Sequence, residues 1–253
     1  MTYNIVQKDC IEFLKGIPND SVDLVLTDPP YAIGFDGGKG WDRQWKTEAD
    51  YLAWCAEWSK ECARVLKPGR MMIVWGTLKT DTFLRYKLDV LNQIEGMVGQ
   101  NEVIWSYNWG GRSNKNFARK HEYAWCYSKG SDFLFNADAV RVPRKMTSNM
   151  RTGETHDKGT IPTLIWEKNN HTMSKDFVNW HPTTKNVSIL ERLILGYTNP
   201  GDTVLDIFMG SGSTAVACES TDRNSIGCET HPEYYDKLMD RLQKATTMKE
   251  NLK

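Results

Sequence analysis

An acidic residue, two prolines and an aromatic ring follow an apolar run near the start of the chain. Residues 22–26 read VDLVL, and residues 28–31 read DPPY. Proline cannot donate a hydrogen bond to a sheet ladder and restricts the residue before it, so this pattern predicts a strand that stops abruptly. The carboxylate of Asp28 and the carbonyl oxygen of Pro29 would then face a crevice as two hydrogen-bond acceptors.

Two such acceptors suit a flat amine. The exocyclic amino group of adenine or cytosine presents two N–H donors for Asp28 and Pro29, while Tyr31 offers a ring on which the base could stack. Stacking on an aromatic side chain is worth about 1–3 kcal/mol per base. We therefore predict a site for an extruded base, with Asp28, Pro29, Pro30 and Tyr31 as its catalytic residues. The alternative is a strand-terminating turn with a buried tyrosine.

A glycine-rich loop, DIFMGSGST, occupies residues 206–214 between a short strand pattern and a helix pattern. Gly210 and Gly212 would let the backbone turn tightly and approach a ligand. Glu229 ends the next strand pattern, 23 residues beyond Asp206, which is near the spacing at which an acidic side chain meets ribose hydroxyls in dinucleotide-binding folds. No lysine follows the last glycine, so a P-loop is disfavoured. A purely structural glycine turn is the alternative.

The two motifs resemble those of the S-adenosylmethionine-dependent amino-methyltransferases of DNA, in the permuted arrangement called the beta group. In that family DPPY precedes a target-recognition region and a DPFxGSGTT-like motif follows it, and this chain has the same order. Further segments are similar to family motifs: Asp9 in VQKDC, RVLKPG at 64–69, HEY at 121–123 and HPTTK at 181–185. The chain departs from the pattern at Asn186, where the family usually has proline.

The resemblance implies an α/β fold of the Rossmann-like S-adenosylmethionine methyltransferase type. Its sheet would be mostly parallel, its motif order circularly permuted, and a target-recognition region would be inserted. The corresponding division is a catalytic half at residues 1–129, an inserted target-recognition region at 130–180 and a cofactor-binding half at 181–253. The loss of hydrophobic periodicity after residue 130 favours the same division.

The resemblance also implies the chemistry, which is methyl transfer from S-adenosylmethionine to the N6 amine of a flipped adenine in DNA. Cytosine N4 is the close alternative, because only the family's leaning of DPPY towards adenine and SPPY towards cytosine separates the two. A non-catalytic DNA-recognition subunit with the same fold is an alternative of another class. The predicted cofactor-binding residues are Asp9, Lys185, Asp206, Phe208, Gly210, Ser211, Gly212 and Glu229.

Positive charge is concentrated in the middle of a chain that has no formal net charge. The 32 Lys and Arg residues balance 32 Asp and Glu overall, but residues 105–185 hold 13 basic against 7 acidic side chains. Such a segment can reach phosphates and base edges of DNA. For any single cation the ordinary alternative is a solvated loop. The predicted DNA-binding residues are Arg112, Lys115, Arg119, Lys120, Arg141, Arg144 and Lys145.

Alternating strand and helix patterns on both sides of the basic segment predict a βα architecture, with ligands at the carboxyl ends of parallel strands. Trp54 and Trp58, four apart in a helix pattern, are predicted to lie in the core. The glycine-rich loop at 35–40 is equally compatible with a mobile lid and an inert surface loop. The predicted strands are 22–27, 71–75, 102–108, 122–128, 203–208 and 225–229, and the predicted helices are 47–66, 79–95, 183–197, 213–221 and 232–246.

Composition argues against several other classes. The chain has no apolar run approaching 18 residues and no N-terminal signal-peptide pattern, so we expect no membrane segment. Its six cysteines lack CxxC spacing and its five histidines form no ligand cluster, so we expect reduced thiols, a cytoplasmic location and no metal. The PCxxC signature of zinc deaminases is absent. The sequence leaves a homodimer open.

Overall fold

Strands and helices alternate through most of the chain. The computed structural model describes residues 2–108, 114–143, 158–167 and 177–250. The strands are β1 Tyr3–Gln7, β2 Val22–Thr27, β3 Leu66–Gly76, β4 Met97–Ser106, β5 His121–Lys129, β6 Ile165–Glu167, β7 Thr203–Asp206 and β8 Asn224–Glu229. The α-helices are α1 Cys10–Leu14, α2 Glu48–Val65, α3 Asp81–Arg85, α4 Val187–Tyr197, α5 Ser213–Ser220 and α6 Pro232–Glu250.

All eight strands join one sheet with the order β1-β8-β7-β2-β3-β5-β4-β6. Strands β1, β8, β7, β2 and β3 are parallel to their neighbours in this series. Strand β5 is antiparallel to both β3 and β4, and β6 pairs parallel with β4. The sheet is therefore mostly parallel with one reversed strand, in agreement with the predicted fold class.

Helices cover both faces of this sheet, because alternate residues of the central strands point to opposite sides. Val25 of β2 belongs to the core cluster under α1, α2 and α3, whereas Leu24 and Leu26 belong to the cluster under α4 and α5. Helix α6 packs at the β1 end of the sheet through a third, smaller cluster. Trp58 is fully buried in the first cluster, as predicted, whereas Trp54 is half-buried and packs against this cluster.

Helix α2 begins at a capping box. The backbone N–H of Asp50 donates to the Thr47 hydroxyl at 3.1 Å, and the backbone N–H of Thr47 donates to the Asp50 carboxylate at 3.0 Å. These bonds satisfy two of the backbone donors that a helix start leaves unpaired, and the acidic side chain suits the positive end of the helix dipole. Helix α2 therefore starts at a position that the local sequence defines.

Several predicted boundaries differ from the structure at the edges of the fold. The helix predicted at 79–95 is broken into α3, a π-helical turn at Tyr86–Val90 and a 3-10 turn at Leu91–Gln93. The wider π-helical turn changes the phase of the segment, so that Tyr86, Val90 and Leu91 all reach the same core cluster. Short elements with little periodicity, namely β1, α1 and β6, were not predicted.

The segment at 130–180 is less separate from the sheet than its composition suggests. Strand β6 extends the sheet beyond β4, with Ile104 opposite Ile165, and Val140 is buried. The backbone N–H of Asn136 also donates to the carbonyl of Gly196 at the end of α4, at 2.7 Å. Part of this segment therefore belongs to the central domain, and the proposed boundaries of an inserted region stay a prediction.

The order of the strands creates a crevice at one place. Strand β2 leads through α2 to β3 on one side, whereas β7 leads through α5 to β8 on the other. Neighbouring strands that lead in opposite directions leave a gap between their connections, and ligands of open α/β sheets bind at this switch point. DPPY follows β2 and the glycine-rich loop follows β7, so the fold brings both motifs to the crevice.

Two general properties of the described residues bear on the earlier expectations. All six cysteines are buried and carry free thiols, as expected for reduced core residues. Within the described ranges, no helix combines the length and the apolar character that a membrane span requires.

We expect Gly227→Ala to destabilise the protein, because β7 and β8 approach closely at this residue. A Cβ on Gly227 would stand 2.0 Å from the carbonyl oxygen of Asp206 and 2.4 Å from Cε of Met209. The strands would have to move apart, at a cost of about 1–3 kcal/mol. Thermal unfolding should show a fall in Tm of roughly 2–4 °C for each kcal/mol in a chain of this size.

The matched control is Gly16→Ala, whose new Cβ would meet only the carbonyl oxygen of Phe13, at 3.5 Å. If both variants melted at the wild-type temperature, the close approach of β7 to β8 at Gly227 would be contradicted.

Candidate active site

Four acidic residues meet where the parallel strands β1, β2, β7 and β8 end. Asp9 and Asp28 follow β1 and β2, and Asp206 and Glu229 are the last residues of β7 and β8. The hydroxyl of Thr27 donates to Oδ1 of Asp206 at 2.8 Å, and both side chains are buried. This bond joins the residue before Asp28 to the first residue of the glycine-rich loop, so the two motifs lie side by side.

A cavity of about 280 Å³ lies between these loops. This volume is close to the lower end of the range for small-molecule sites, roughly 300–1,000 Å³. Gly212 is the one predicted catalytic or cofactor-binding residue outside the lining; it is the N-cap of α5, with a φ of 76°. The predicted residues that line the cavity are Asp9, Asp28, Pro29, Pro30, Tyr31, Lys185, Asp206, Phe208, Gly210, Ser211 and Glu229.

Both carboxylate oxygens of Asp28 have partners. The Tyr31 hydroxyl donates to Oδ1 at 2.7 Å, and the Lys185 ammonium donates to Oδ2. The Tyr31 ring is held in turn by Phe83, with an edge-to-face contact at 4.7 Å between ring centroids. Burial, and then the charge of Asp28, raise the pKa of Tyr31 well above its usual value, so its hydroxyl keeps its proton at neutral pH. The carboxylate is therefore held in one orientation.

The Lys185 ammonium lies between two carboxylates. It pairs with Asp28 and also stands 3.1 Å from Oε2 of Glu122. Burial acts to lower the pKa of Lys185, but the two carboxylates outweigh it and raise that pKa. Burial raises the pKa of Glu122, against the opposing charge of Lys185. Lys185 thus lies against DPPY, and Glu122 joins the site without having been predicted; its only signal was the HEY match.

The glycine-rich loop fits closely against the segment that contains His181. Gly210 has a φ of 49°, and a Cβ there would stand 2.8 Å from Nε2 of His181. The backbone N–H groups of Gly210 and His231 each donate to the Glu229 carboxylate at 2.8 Å. Burial raises the pKa of Glu229, and these backbone donors oppose the increase. The loop therefore places an acceptor-rich carboxylate at the cavity wall.

Two of the predicted acidic residues already organise the local backbone. Asp206 accepts from the backbone N–H of Phe208 at 3.1 Å as well as from Thr27, and burial raises its pKa to about 6. Asp9 caps α1 by accepting from the backbone N–H groups of Ile11 and Glu12, at 2.9 and 3.2 Å. Their side chains have a clear structural role in addition to lining the cavity.

The loop after DPPY forms another wall of the cavity. Asp42 is buried and accepts from three backbone N–H groups of the loop, those of Ala32, Ile33 and Phe35, at 2.7, 2.9 and 3.0 Å. The ring of Trp41 stacks on His181 and also lines the cavity. Phe35 also lines the cavity, whereas residues 37–40 are exposed, so the choice between a lid and an inert loop at 35–40 stays open. No local pattern in the sequence identified Asp42 as its anchor.

The predicted DNA-binding residues have different surroundings. Lys115 and Arg119 are exposed, and Lys120 is half-buried with its ammonium 3.0 Å from the carbonyl of Asn108. Arg141 instead donates to Asp138 at 2.6 Å, so its charge is partly compensated locally. The predictions for Arg112, Arg144 and Lys145 lie outside the described residues.

A family described as DNA methylase matches residues 22–240. The chain belongs to this family. Among its relatives, the type II methyltransferase M.HpaI of Haemophilus parainfluenzae is 32% identical over 246 residues, which cover 96% of this chain and 74% of M.HpaI. The DNA adenine methyltransferase YhdJ of Escherichia coli (strain K12) is 31% identical over 253 residues, with 96% of this chain and 83% of YhdJ covered.

The fold of this DNA methylase is also similar to a solved structure. The crystal structure of the M1.HpyAVI–SAM complex aligns with a TM-score of 0.64 and 26% sequence identity, covering 95% of this chain and all of that one. The predicted family, an N6/N4 amino-methyltransferase, and the predicted fold class are confirmed. Among the described residues, no group of three or more His, Cys, Asp or Glu side chains could hold a metal ion.

His181 should make the stability of this DNA methylase depend on pH. Burial, and then the charges of Lys185, Arg241 and His231, lower the pKa of His181 from 6.5 to about 3. Between these pH values the unfolded chain binds a proton at this histidine that the folded chain does not. The free energy of unfolding should therefore fall as the pH falls from 6.5 towards 3. We expect the difference in unfolding free energy between wild type and His181→Gln to increase from pH 4 to pH 7 in denaturant titrations. Parallel pH profiles for the two proteins would rule this out.

Proposed function

We propose that this enzyme transfers a methyl group from S-adenosylmethionine to the N6 amine of an adenine that is flipped out of DNA. The observation that carries the proposal is the cavity that both motifs line. In it Asp28 of DPPY lies next to the glycine-rich loop, because the hydrogen bond from Thr27 to Asp206 joins the two segments. Membership of the DNA methylase family, and relatives that include a DNA adenine methyltransferase, support this reaction.

The glycine-rich side of the cavity fits the cofactor. Ribose hydroxyls are hydrogen-bond donors, and the buried Glu229 carboxylate can accept from them and recover part of its desolvation cost. Gly210 lets the backbone approach where a Cβ would collide with His181. When bound, S-adenosylmethionine supplies a methyl group that its positive sulfur already makes electrophilic. We propose Glu229, Gly210, Ser211 and Phe208 as cofactor contacts, with Asp206 and Asp9 shaping the wall.

The DPPY side of the cavity fits the target base. Asp28 and the Pro29 carbonyl are acceptors for the two amine N–H groups, and Tyr31 is a flat neighbour whose hydroxyl is tied to Asp28. The amine would have to share Asp28 with partners that already hold it. Hydrogen bonds from the amine to fixed acceptors would direct its lone pair away from the ring, towards the methyl group.

Catalysis at such a site consists mainly of positioning. A bond forms between the amine nitrogen and the methyl carbon while the carbon–sulfur bond breaks and its electron pair stays on sulfur. The methylated nitrogen would then give one proton to the Asp28 carboxylate, which accepts its N–H hydrogen bond. No covalent intermediate with the protein is required. Holding the reactants in a near-attack geometry can lower a barrier by up to about 7–11 kcal/mol. The partners of Asp28 on both oxygens provide the rigidity that this mechanism needs.

We assign Lys185 to the amine side of the cavity instead of the cofactor set. Its ammonium contacts Asp28 and Glu122, and it also lies 5.6 Å from the centroid of the Tyr31 ring. An ion pair offsets part of the cost of removing a carboxylate from water. Lys185 would thus hold the Asp28 carboxylate in the orientation that receives the amine, with Glu122 holding Lys185 in place.

DNA would approach on the side of β4 and β5. Lys115 and Arg119 are exposed there and Lys120 lies beside them, and exposed cations of this kind neutralise phosphates without reading sequence. The ion pair with Asp138 makes Arg141 a weaker candidate. We also propose that the enzyme works in the cytoplasm, because its six thiols are free. A homodimer stays a prediction.

The cytosine N4 alternative fits the same acceptors, since both bases present an exocyclic amine. The adenine assignment is favoured by the DPPY motif and by the relative YhdJ. A non-catalytic recognition subunit is disfavoured, because Tyr31 and Lys185 hold both carboxylate oxygens of Asp28 at the wall of the cavity.

Expression in a methylation-free bacterial host tests the function directly. We expect sequencing of the host DNA to reveal N6-methyladenine within one short motif, and we expect Asp28→Ala to abolish the signal while the protein stays folded. Methyl groups on cytosine N4 would establish the alternative base. Folded wild-type protein that leaves the DNA unmodified would contradict the enzymatic proposal.

Calorimetry with S-adenosylmethionine separates the two sides of the cavity. We expect Asp28→Asn and Lys185→Met to lose methyl transfer while their cofactor Kd stays within a few-fold of wild type. Glu229→Gln should weaken cofactor binding by about 10- to 100-fold, since hydrogen bonds to charged groups contribute about 1.5–3 kcal/mol. Lys87→Met is the matched control, because Lys87 also pairs with a glutamate, Glu102, at 2.9 Å, outside the cavity. If Lys185→Met instead bound S-adenosylmethionine weakly but methylated DNA at the wild-type rate at saturating cofactor, Lys185 would be a cofactor-binding residue after all.

A further inference from the structure

A second cavity adjoins the first on the DPPY side. Its volume is about 650 Å³, and it shares Tyr31, Glu122 and Lys185 with the cavity described above. Arg119, in the segment between β4 and β5, also lines it. The space next to the target amine is therefore continuous with a larger opening that carries a cation at its wall.

Phe117 stands in the same segment, two residues before Arg119. It is 97% exposed, the highest value among the exposed large hydrophobic residues of the described chain. The Cα atoms of Phe117 and Arg119 are within about 7 Å of each other, since two residues cannot span more. A phenylalanine ring in water forgoes the stabilisation that burial of its area would give. Phe117 therefore belongs to the same short segment as a residue of the second cavity's wall, and its ring takes almost no part in the packing of the protein.

The segment that contains Phe117 is held in place by the residues that follow it. The Arg119 guanidinium donates to the carbonyl of Leu78 at 2.5 Å, and the backbone N–H of Tyr107 donates to the carbonyl of Lys120 at 3.0 Å. Lys115, Arg119 and Lys120 place three positive charges within three residues of the ring. This combination of an apolar ring and cations is complementary to a stacked polymer with a negatively charged backbone, which is what duplex DNA offers.

Base flipping creates a vacancy that such a ring could fill. Extruding one base breaks its pair and its stacking, and proteins that distort DNA often insert an apolar side chain between base steps. The flipped base would enter the site at Asp28 and Tyr31, next to the second cavity, while the cations hold the phosphates. Among the described residues of this segment, Phe117 is the large apolar side chain that stays outside the lining of both cavities.

We propose that Phe117 inserts into the DNA duplex at the position vacated by the target base and so stabilises the flipped state. This inference rests on the proposed function, because it takes flipping of an adenine as given. Phe35, the other exposed phenylalanine near DPPY, is 57% exposed but lines both cavities, so we assign it to the wall of the base site.

The test compares three DNA substrates that carry the same recognition motif: a paired duplex, a duplex with an abasic site opposite the target adenine, and the single strand. Phe117→Ala should lower kcat/KM on the paired duplex by about tenfold or more, because the cost of unstacking is no longer offset. On the other two substrates, where little or no pairing opposes flipping, the loss should be at most two- to threefold. Phe117→Trp should restore most of the activity on the paired duplex.

A structural readout accompanies the kinetics. With 2-aminopurine in place of the target adenine, wild-type enzyme should raise the fluorescence of the paired duplex, and Phe117→Ala should raise it less at saturating enzyme. Phe135→Ala is the control, since Phe135 is 40% exposed but packs against Tyr197, away from both cavities. Equal losses on all three substrates would show a simple affinity contact and overturn the proposal, as would wild-type kinetics on the paired duplex.

The outcome also separates this inference from the proposed function. A wild-type enzyme that is silent on every substrate would overturn the proposed function and the insertion with it. A wild-type enzyme that methylates all three substrates, together with an equally active Phe117→Ala, would leave the function intact and overturn the insertion alone.

Discussion

The site depends on one pairing, that of β2 with β7. These strands are far apart in the chain but lie side by side in the sheet, and their ends are tied by the hydrogen bond from Thr27 to Asp206. Because both side chains are buried, the bond is shielded from water and fixes the distance between the DPPY turn and the glycine-rich loop. The two motifs that line the cavity are positioned relative to each other by this pairing. The raised pKa of Asp206, about 6, is a cost of placing a carboxylate there.

Charge compensation is the second constraint on the site. A charged carboxylate beside the target amine loses part of its hydration, so an opposite charge has to offset that cost. In this enzyme the compensation is supplied from 157 residues away, where Lys185 reaches Asp28, and Glu122 on β5 supports Lys185 from the other side. Three elements that are distant in the sequence are thus coupled through one ammonium group.

Much of this arrangement could be predicted, because β2, β7, β8 and their loops carry strong local signals. Prolines end β2, glycines open the loop after β7, and an acid ends β8, each for a local backbone or hydrogen-bonding reason. The contact between Lys185 and Asp28 had no such signal, because it depends on where α4 packs against the sheet. Asp42 was missed for the same reason, because it acts through contacts with a loop that its neighbouring residues do not predict. Glu122 also acts through a tertiary contact, with Lys185, and the HEY match by itself gave it no role. In the broken helix at 79–95 a clear local pattern predicted one continuous helix, but packing against the core overrode it.

The sheet also explains why a permuted motif order leaves the chemistry intact. Neighbouring strands, and not their order along the chain, decide which loops meet, so the same cavity forms whichever motif is encoded first. The sheet divides between β2 and β7. The half that contains β7, β8 and β1 carries at its strand ends the groups proposed for the cofactor. On the other side lie β3, β5, β4 and β6, which carry Glu122, the basic segment and Phe117. The proposed division between cofactor and DNA therefore coincides with the switch point of the sheet, and Asp28 is positioned at the boundary where methyl donor and acceptor have to meet.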